Sequence, residues 1–192
     1  MTVSSVSTVS PELDARFREA AASAGLLDVG YDVVESAIGP LFLAATDRGL
    51  CRVAFQPEPD EYLDRLARAF GPRVLRSGSS VDNARRQLDE YFAGTRHGFE
   101  LDTDLRGAAP FAQRVLGELA RVPFGETTTY GALAQRVNAP RAARAVGMVM
   151  NRNPIAIVLP CHRVVGSNGS LTGYAGGLEL KERLLRLEGV LL

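Results

Sequence analysis

The sequence predicts an α+β protein in two parts: an N-terminal α/β domain with a small antiparallel sheet, then a mostly helical domain. Three observations predict it. Three short strand-like runs separated by turn residues fall between residues 31 and 55, two amphipathic helical stretches follow them, and helical spacing dominates from residue 108 onward. At 192 residues the chain can bury a core as one large domain or two small ones.

The elements follow in order. Residues 11–24 are expected to form a helix, with Ser10 as N-cap, Pro11 in the first turn and Gly25 as the stop. Strands are expected at 31–35, at 40–46 after the Gly39-Pro40 turn, and at 51–55 after Asp47-Arg48-Gly49, as an antiparallel meander. Cys51 then reads as a small buried strand residue. Residues 59–70 place Tyr62, Leu63, Leu66, Ala69 and Phe70 at helical spacing. A short strand at 73–75, a helix at 81–93 and an extended piece at 99–101 complete the first half, which reads as scaffold. Residues 102–107 mark the boundary. This gives an extension at 1–28, a scaffold domain at 29–104 and a helical domain at 105–192. In the latter, helices are expected at 108–120, 129–137, 141–150 and 178–187, with an apolar strand at 155–159.

Composition narrows the function classes. No apolar stretch approaches the ~20 residues of a membrane span, and the Ser/Val/Thr-rich start lacks the pattern of a secretory signal, so a cytoplasmic protein is expected. Net charge is zero but uneven: residues 1–101 hold 11 basic and 15 acidic side chains, residues 102–192 hold 11 and 7. Such a basic segment is either a footprint for phosphates or a solvated face. Two cysteines cannot form a Cys₄ zinc site, and neither a metal nor a cofactor is expected. One of those cysteines stands beside one of only two histidines, as Cys161-His162.

The chemistry gathers in the second half. The two helices around Asn138-Ala139-Pro140 have the outline of a helix-turn-helix. The second, Arg141-Ala142-Ala143-Arg144-Ala145-Val146-Gly147-Met148, is small-sided, which suits either DNA contact or tight core packing. Cys161 can be a nucleophile only as thiolate, which a neighbouring base would supply. Sequence adjacency does not bring His162 to it, because neighbouring side chains in an extended segment diverge.

Taken together, Pro123-Phe124-Gly125-Glu126, Tyr130-Gly131, Ala142-Ala143-Arg144-Ala145-Val146-Gly147, Asn153-Pro154-Ile155, Leu159-Pro160-Cys161-His162-Arg163-Val164-Val165, Gly173-Tyr174-Ala175-Gly176-Gly177 and residues 181–188 resemble, in order and spacing, the O6-alkylguanine-DNA alkyltransferases. The resemblance is specific from about residue 111 to 189, looser over 36–55 and Tyr91-Phe92-Ala93-Gly94, and has no counterpart at 1–28. It implies a ribonuclease H-like N-terminal domain and a helix-turn-helix domain carrying the active site. The implied activity is direct reversal of damage: one irreversible transfer of an alkyl group from O6-alkylguanine, and from O4-alkylthymine, in duplex DNA to Cys161. The partner implied is that duplex, met by a monomer, with cooperativity on DNA left open.

Residue roles follow from the resemblance. His162 is the base acting through a water, Glu188 orients it, and Asn153 braces the active-site turn. Tyr130 helps rotate the nucleotide and protonates the leaving base. Arg144 fills the vacated stack, while Arg141, Ala142, Ala143 and Gly147 face DNA. Tyr174, Val164, Ala175 and Met150 line the base pocket, and Arg163 makes structural hydrogen bonds. Three positions depart from common family usage: Ala175 for Ser, Met148 for a small residue, and Ala156 where some relatives have Pro. Three other readings compete. A non-catalytic lesion binder would lack Cys161, a helix-turn-helix regulator would need no Pro-Cys-His-Arg motif, and a cysteine hydrolase would turn over without DNA.

Overall fold

The computed structural model describes residues 10–55 and 59–191; most of the Ser/Val/Thr-rich start lies outside them. Helix α1 (Pro11–Ser23) begins where Ser10 accepts a hydrogen bond from the Leu13 amide at 3.2 Å, an N-cap followed by proline. Its Glu19 accepts from Ser79 and from the Gly78 amide, which docks the helix on the scaffold.

Strands β1 (Val29–Val34), β2 (Leu41–Thr46) and β3 (Gly49–Phe55) pair antiparallel, with Val34 opposite Leu41 and Leu41 opposite Phe55. Strand β4 (Val74–Arg76) corrects the antiparallel expectation. It joins the other edge parallel to β1, Val29 opposite Val74, in the order β3-β2-β1-β4. The reason is the connection: α2 (Pro59–Phe70) carries the chain back across the sheet after β3, so the next strand runs in the direction of β1.

Strand alternation splits the burial of β2. Leu41 and Leu43 enter the main core, while Phe42 and Ala44 enter a second cluster with Cys51 and Leu66. Cys51 is thus the buried strand residue expected. Burial pushes its thiol up to about 12, and its Sγ donates to the Ala44 carbonyl at 3.3 Å.

The rest of the chain packs around the main core. Helix α3 (Asp82–Phe92) contributes Leu88 and Tyr91, α4 (Pro110–Leu119) Val115 and Leu116, and α5 (Tyr130–Arg136) Leu133. Helix α6 (Ala143–Asn151) adds Val146 and Met150, and α7 (Leu178–Leu187) adds Leu184. A two-stranded parallel pair, β5 (Thr128–Thr129) with β6 (Val164–Val165), ties the start of α5 to the segment after Cys161.

Residues 99–101 lie outside any helix or strand, and Phe99 and Leu101 pack on the core. One further expectation is overturned: residues 155–159 form no strand. Ile155 bridges Val53 and Ala156 bridges Leu159, because Ile157 sits at φ 71° and turns the chain back. A short apolar run is equally compatible with a strand and with a buried turn.

Candidate active site

The site is built from that turn. A β-branched residue at positive φ is strained, and at Ile157 the strain is held by full burial and two hydrogen bonds: Val158 N to Ala156 O at 2.8 Å and Leu159 N to Ile155 O at 2.9 Å. The first closes a γ-turn. A second three-residue turn, Cys161 N to Leu159 O at 2.8 Å, follows at Pro160 and delivers Cys161 into a single 3-10 turn, Cys161–Arg163. Asn153 braces the assembly as expected. Its Nδ2 donates to the Leu159 carbonyl at 2.8 Å and to Cys161 Sγ at 3.1 Å, and its Oδ1 accepts from the Ile155 amide at 3.1 Å.

Cys161, His162 and Arg163 of this turn are all buried, and no direct hydrogen bond joins Cys161 Sγ to the His162 ring among the described residues. His162 Nε2 lies 2.8 Å from Glu188 Oε1. Against a carboxylate this nitrogen is the donor, so Nδ1 is the bare, basic one. Nδ1 is also buried and has no hydrogen-bond partner among the described residues. Burial lowers the imidazole's basicity and outweighs the carboxylate that raises it.

Glu188 collects more bonds than the one from His162. Its Oε1 accepts from His162, from Tyr91 Oη at 2.7 Å and from Arg163 at 2.8 Å, and its Oε2 accepts from Arg163 Nε at 2.9 Å. Burial raises the carboxyl, but the bonds from His162 and Arg163 override it and hold it down to about 2. Arg163 also donates to the Val122 carbonyl at 2.6 Å, so its role is structural, as expected. Burial pushes the Cys161 thiol up, against the Asn153 bond and the Lys181 charge that pull it down. The resting sulfur is therefore a protonated thiol that needs a base at the moment of attack.

Sequence reasoning missed Tyr91 and the roles of Lys181 and Thr172. Tyr91 comes from α3, 97 residues before Glu188, and only its place in the loosely matching Tyr91-Phe92-Ala93-Gly94 run marked it. Lys181, wholly buried, donates to the carbonyls of Val164 at 2.6 Å and Thr172 at 2.8 Å, fixing the loop that ends in Tyr174. The Val164 carbonyl thus already holds one donor.

Tyr130 lies 3.0 Å from the Thr172 hydroxyl, and Gly147 of α6 faces its ring, where an added Cβ would meet it at 3.8 Å. Arg141 and Arg144 are exposed, and Ala142 and Ala143 half-buried at the start of α6. The Tyr174 ring meets the His162 ring edge-on at 6.5 Å, and its hydroxyl is sealed without a partner among the described residues. Ala175 is exposed on a cleft it shares with Asn153 and Ala156. Met150 stands apart from that cleft, 4 % exposed in the main core. Met148 is 59 % exposed and lines an apolar chamber with Phe70, Leu105 and Phe111.

With this geometry in view, the comparisons decide the family. The model of the 6-O-methylguanine DNA methyltransferase ribonuclease-like domain matches residues 29–105, and that of the DNA-binding domain of the same family matches residues 110–190. The chain belongs to the 6-O-methylguanine DNA methyltransferase family. It is 42 % identical over 165 residues to the methylated-DNA–protein-cysteine methyltransferase of Methanosarcina acetivorans, covering 83 % of this chain and 97 % of that one. To the protein of the same name from Mycolicibacterium paratuberculosis it is 44 % identical over 160 residues, covering 83 % and 92 %. The solved structure of Mycobacterium tuberculosis OGT in complex with DNA superposes with a TM-score of 0.73 at 40 % identity, over 83 % of this chain and 92 % of that one. The methyltransferase matches begin at β1, so α1 stands outside the family's domain models.

Proposed function

We propose that this methyltransferase-family protein repairs DNA directly, moving the alkyl group of O6-alkylguanine, and of O4-alkylthymine, from duplex DNA to Cys161. The observation that carries the reading is the relay itself: Asn153 Nδ2 at 3.1 Å from Cys161 Sγ, and His162 held by Glu188 through Nε2 with Nδ1 left basic.

Nδ1 takes the thiol proton through a water. The sulfur attacks the alkyl carbon, the S–C bond forms as the C–O6 bond breaks, and the electron pair leaves with guanine. Tyr130, hydroxyl against Thr172, gives guanine its proton and is restored by the proton that Nδ1 took from sulfur, so the two transfers cancel. A thioether has no hydrolysis route here, so each molecule acts once.

Residues 29–104 serve as the ribonuclease H-like scaffold and 105–192 as the DNA-binding and transfer unit. In the latter, α5 and α6 form a helix-turn-helix, supported by the Asn138 turn at φ 57° between them. Ala142, Ala143 and Gly147 keep α6 low enough to enter a minor groove, with Arg141 on phosphate and Arg144 filling the stack that the flipped nucleotide leaves. Tyr174, Val164, Ala175 and Met150 form the base pocket. Two cysteines, both free, fit a reducing compartment such as the cytoplasm.

The test is incubation with a duplex carrying O6-methylguanine, followed by intact mass and peptide mapping. The expected result is one added methylene's mass on the Cys161 peptide, with unmodified guanine left in the DNA. An unmodified Cys161 on a protein that still binds the duplex would sink the proposal.

A further inference from the structure

A cleft of about 600 Å³ opens beside the reactive thiol, between the active-site turns and the face of β3 and α2. It begins one side chain from the sulfur, because Asn153, which touches Sγ at 3.1 Å, lines it. Its near rim is low: Ala156, Ala175 and Gly176. The glycine keeps the rim low, since a Cβ on it would come within 2.6 Å of the Leu180 side chain and 3.0 Å of the Phe55 ring and push them aside. The charge of the cleft is one-sided. Among the described residues, Arg52, Arg65, Arg152 and Arg183 line it against one carboxylate, Glu179. Arg183 donates to the Ala37 carbonyl at 3.2 Å, and Arg52 lies over the Tyr62 ring at 4.4 Å with its buried Nε lacking a partner among the described residues. Neither Arg65 nor Arg152, both exposed, pairs with a carboxylate among the described residues.

We infer that this cleft receives the far end of the O6 substituent and selects carboxylate-bearing adducts, O6-carboxymethylguanine and its longer homologues. The inference rests on the proposed alkyl transfer and names a substrate class for it. A methyl group ends at the sulfur and never reaches the cleft. A carboxymethyl group projects past the attacked carbon, over the small rim, toward guanidinium groups whose planar donors match a carboxylate. The transfer itself is unchanged: the S–CH₂ bond forms, the CH₂–O6 bond breaks, guanine takes the electron pair and a proton, and the carboxylate stays on the protein as S-carboxymethylcysteine. Because the arginines are partly solvated, the selection is modest, about tenfold in rate.

The experiment uses the whole chain and three duplexes of one sequence, carrying O6-methyl-, O6-carboxymethyl- or the uncharged isostere O6-carbamoylmethylguanine. Single-turnover rates are measured for the wild type and for Arg65→Gln/Arg152→Gln. The expected carboxymethyl-to-carbamoylmethyl ratio is about ten times higher in the wild type than in the double variant. Taking the ratio within each protein cancels any change in DNA affinity and the difference in intrinsic reactivity between adducts. An unchanged or higher ratio in the variant overturns the inference while leaving methyl repair standing. Failure of the methyl duplex to react would instead overturn the transfer reading beneath it.

Discussion

Glu188 gathers three donors from two places in the chain: Tyr91 on α3, and His162 and Arg163 on the active-site turn. Its oxygens thus tie the proposed base to the fold. Glu188→Gln keeps the shape but removes the charge, so His162 loses its anchor and buried Arg163 its counter-ion. Transfer is expected to slow at least tenfold, with DNA affinity nearly unchanged, and unfolding free energy to fall by about 3 kcal/mol, the scale of a broken buried ion pair. Equal loss of DNA binding and rate, by gel shift and single-turnover alkylation, would count against the orienting role. Tyr91→Phe is a milder probe. It removes one of four hydrogen bonds to the carboxylate, and denaturant melts should show a loss of about 1 kcal/mol. Its transfer rate should fall only a few-fold, since Tyr91 acts through Glu188. At this scale the sequence was partly legible. Cys161, His162 and Glu188 stood in a specific motif at family spacing, whereas Tyr91 stood only in a loosely matching run within an expected helix. Periodicity says which face of a helix is buried, not which distant group it meets.

At the scale of elements, the register of the helices was legible and the geometry of the connections was not. α2 and α7 begin and end where hydrophobic spacing placed them. The strand expected at 155–159 is instead a turn that reverses at Ile157, a residue type that ordinarily disfavours positive φ. No local signal encodes that choice; burial of the whole run against β3 imposes it, through Val53 N to Pro154 O at 2.9 Å and Ala156 N to Val53 O at 3.3 Å. The β4 edge was misjudged for a similar reason, because only the path of α2 sets its direction. The α5–α6 pair offers a test of DNA entry. Arg144 is exposed and outside the Cys161–His162–Glu188 relay, so Arg144→Ala should slow transfer from duplex DNA by at least tenfold and leave reaction with free O6-benzylguanine within about twofold. A parallel loss on the free base would mean that Arg144 supports the fold and not the flipped nucleotide.

The whole molecule should be sensitive to acid. His162 is less basic folded than its ordinary 6.5, and Glu188 sits at about 2 against 4.5. Both groups bind more protons unfolded than folded, so stability rises with pH. Above 6.5 neither is penalised. Below it the unfolded chain gains by protonating His162, and below 4.5 the contribution of Glu188 drains away until about 2. Melting temperature should therefore hold level above pH 6.5 and fall beneath it, while the transfer rate, set by the less basic folded imidazole, should persist to lower pH before it falls; a melting temperature that climbs on acidification would contradict the burial of a neutral imidazole. Alkylation has its own global cost. Cys161 is 4 % exposed, so an added alkyl group overpacks a filled site, and the spent protein should unfold about 1–3 kcal/mol more easily than the fresh one in a denaturant melt. Sealing His162 from solvent has a further effect. The hydrogen lost by sulfur equals the hydrogen gained by guanine, so the chemical change exports none to the medium. A buried imidazole with no exit to bulk water is no handicap to such a closed circuit, and at fixed pH the reaction should run at the same speed in dilute buffer and in concentrated buffer.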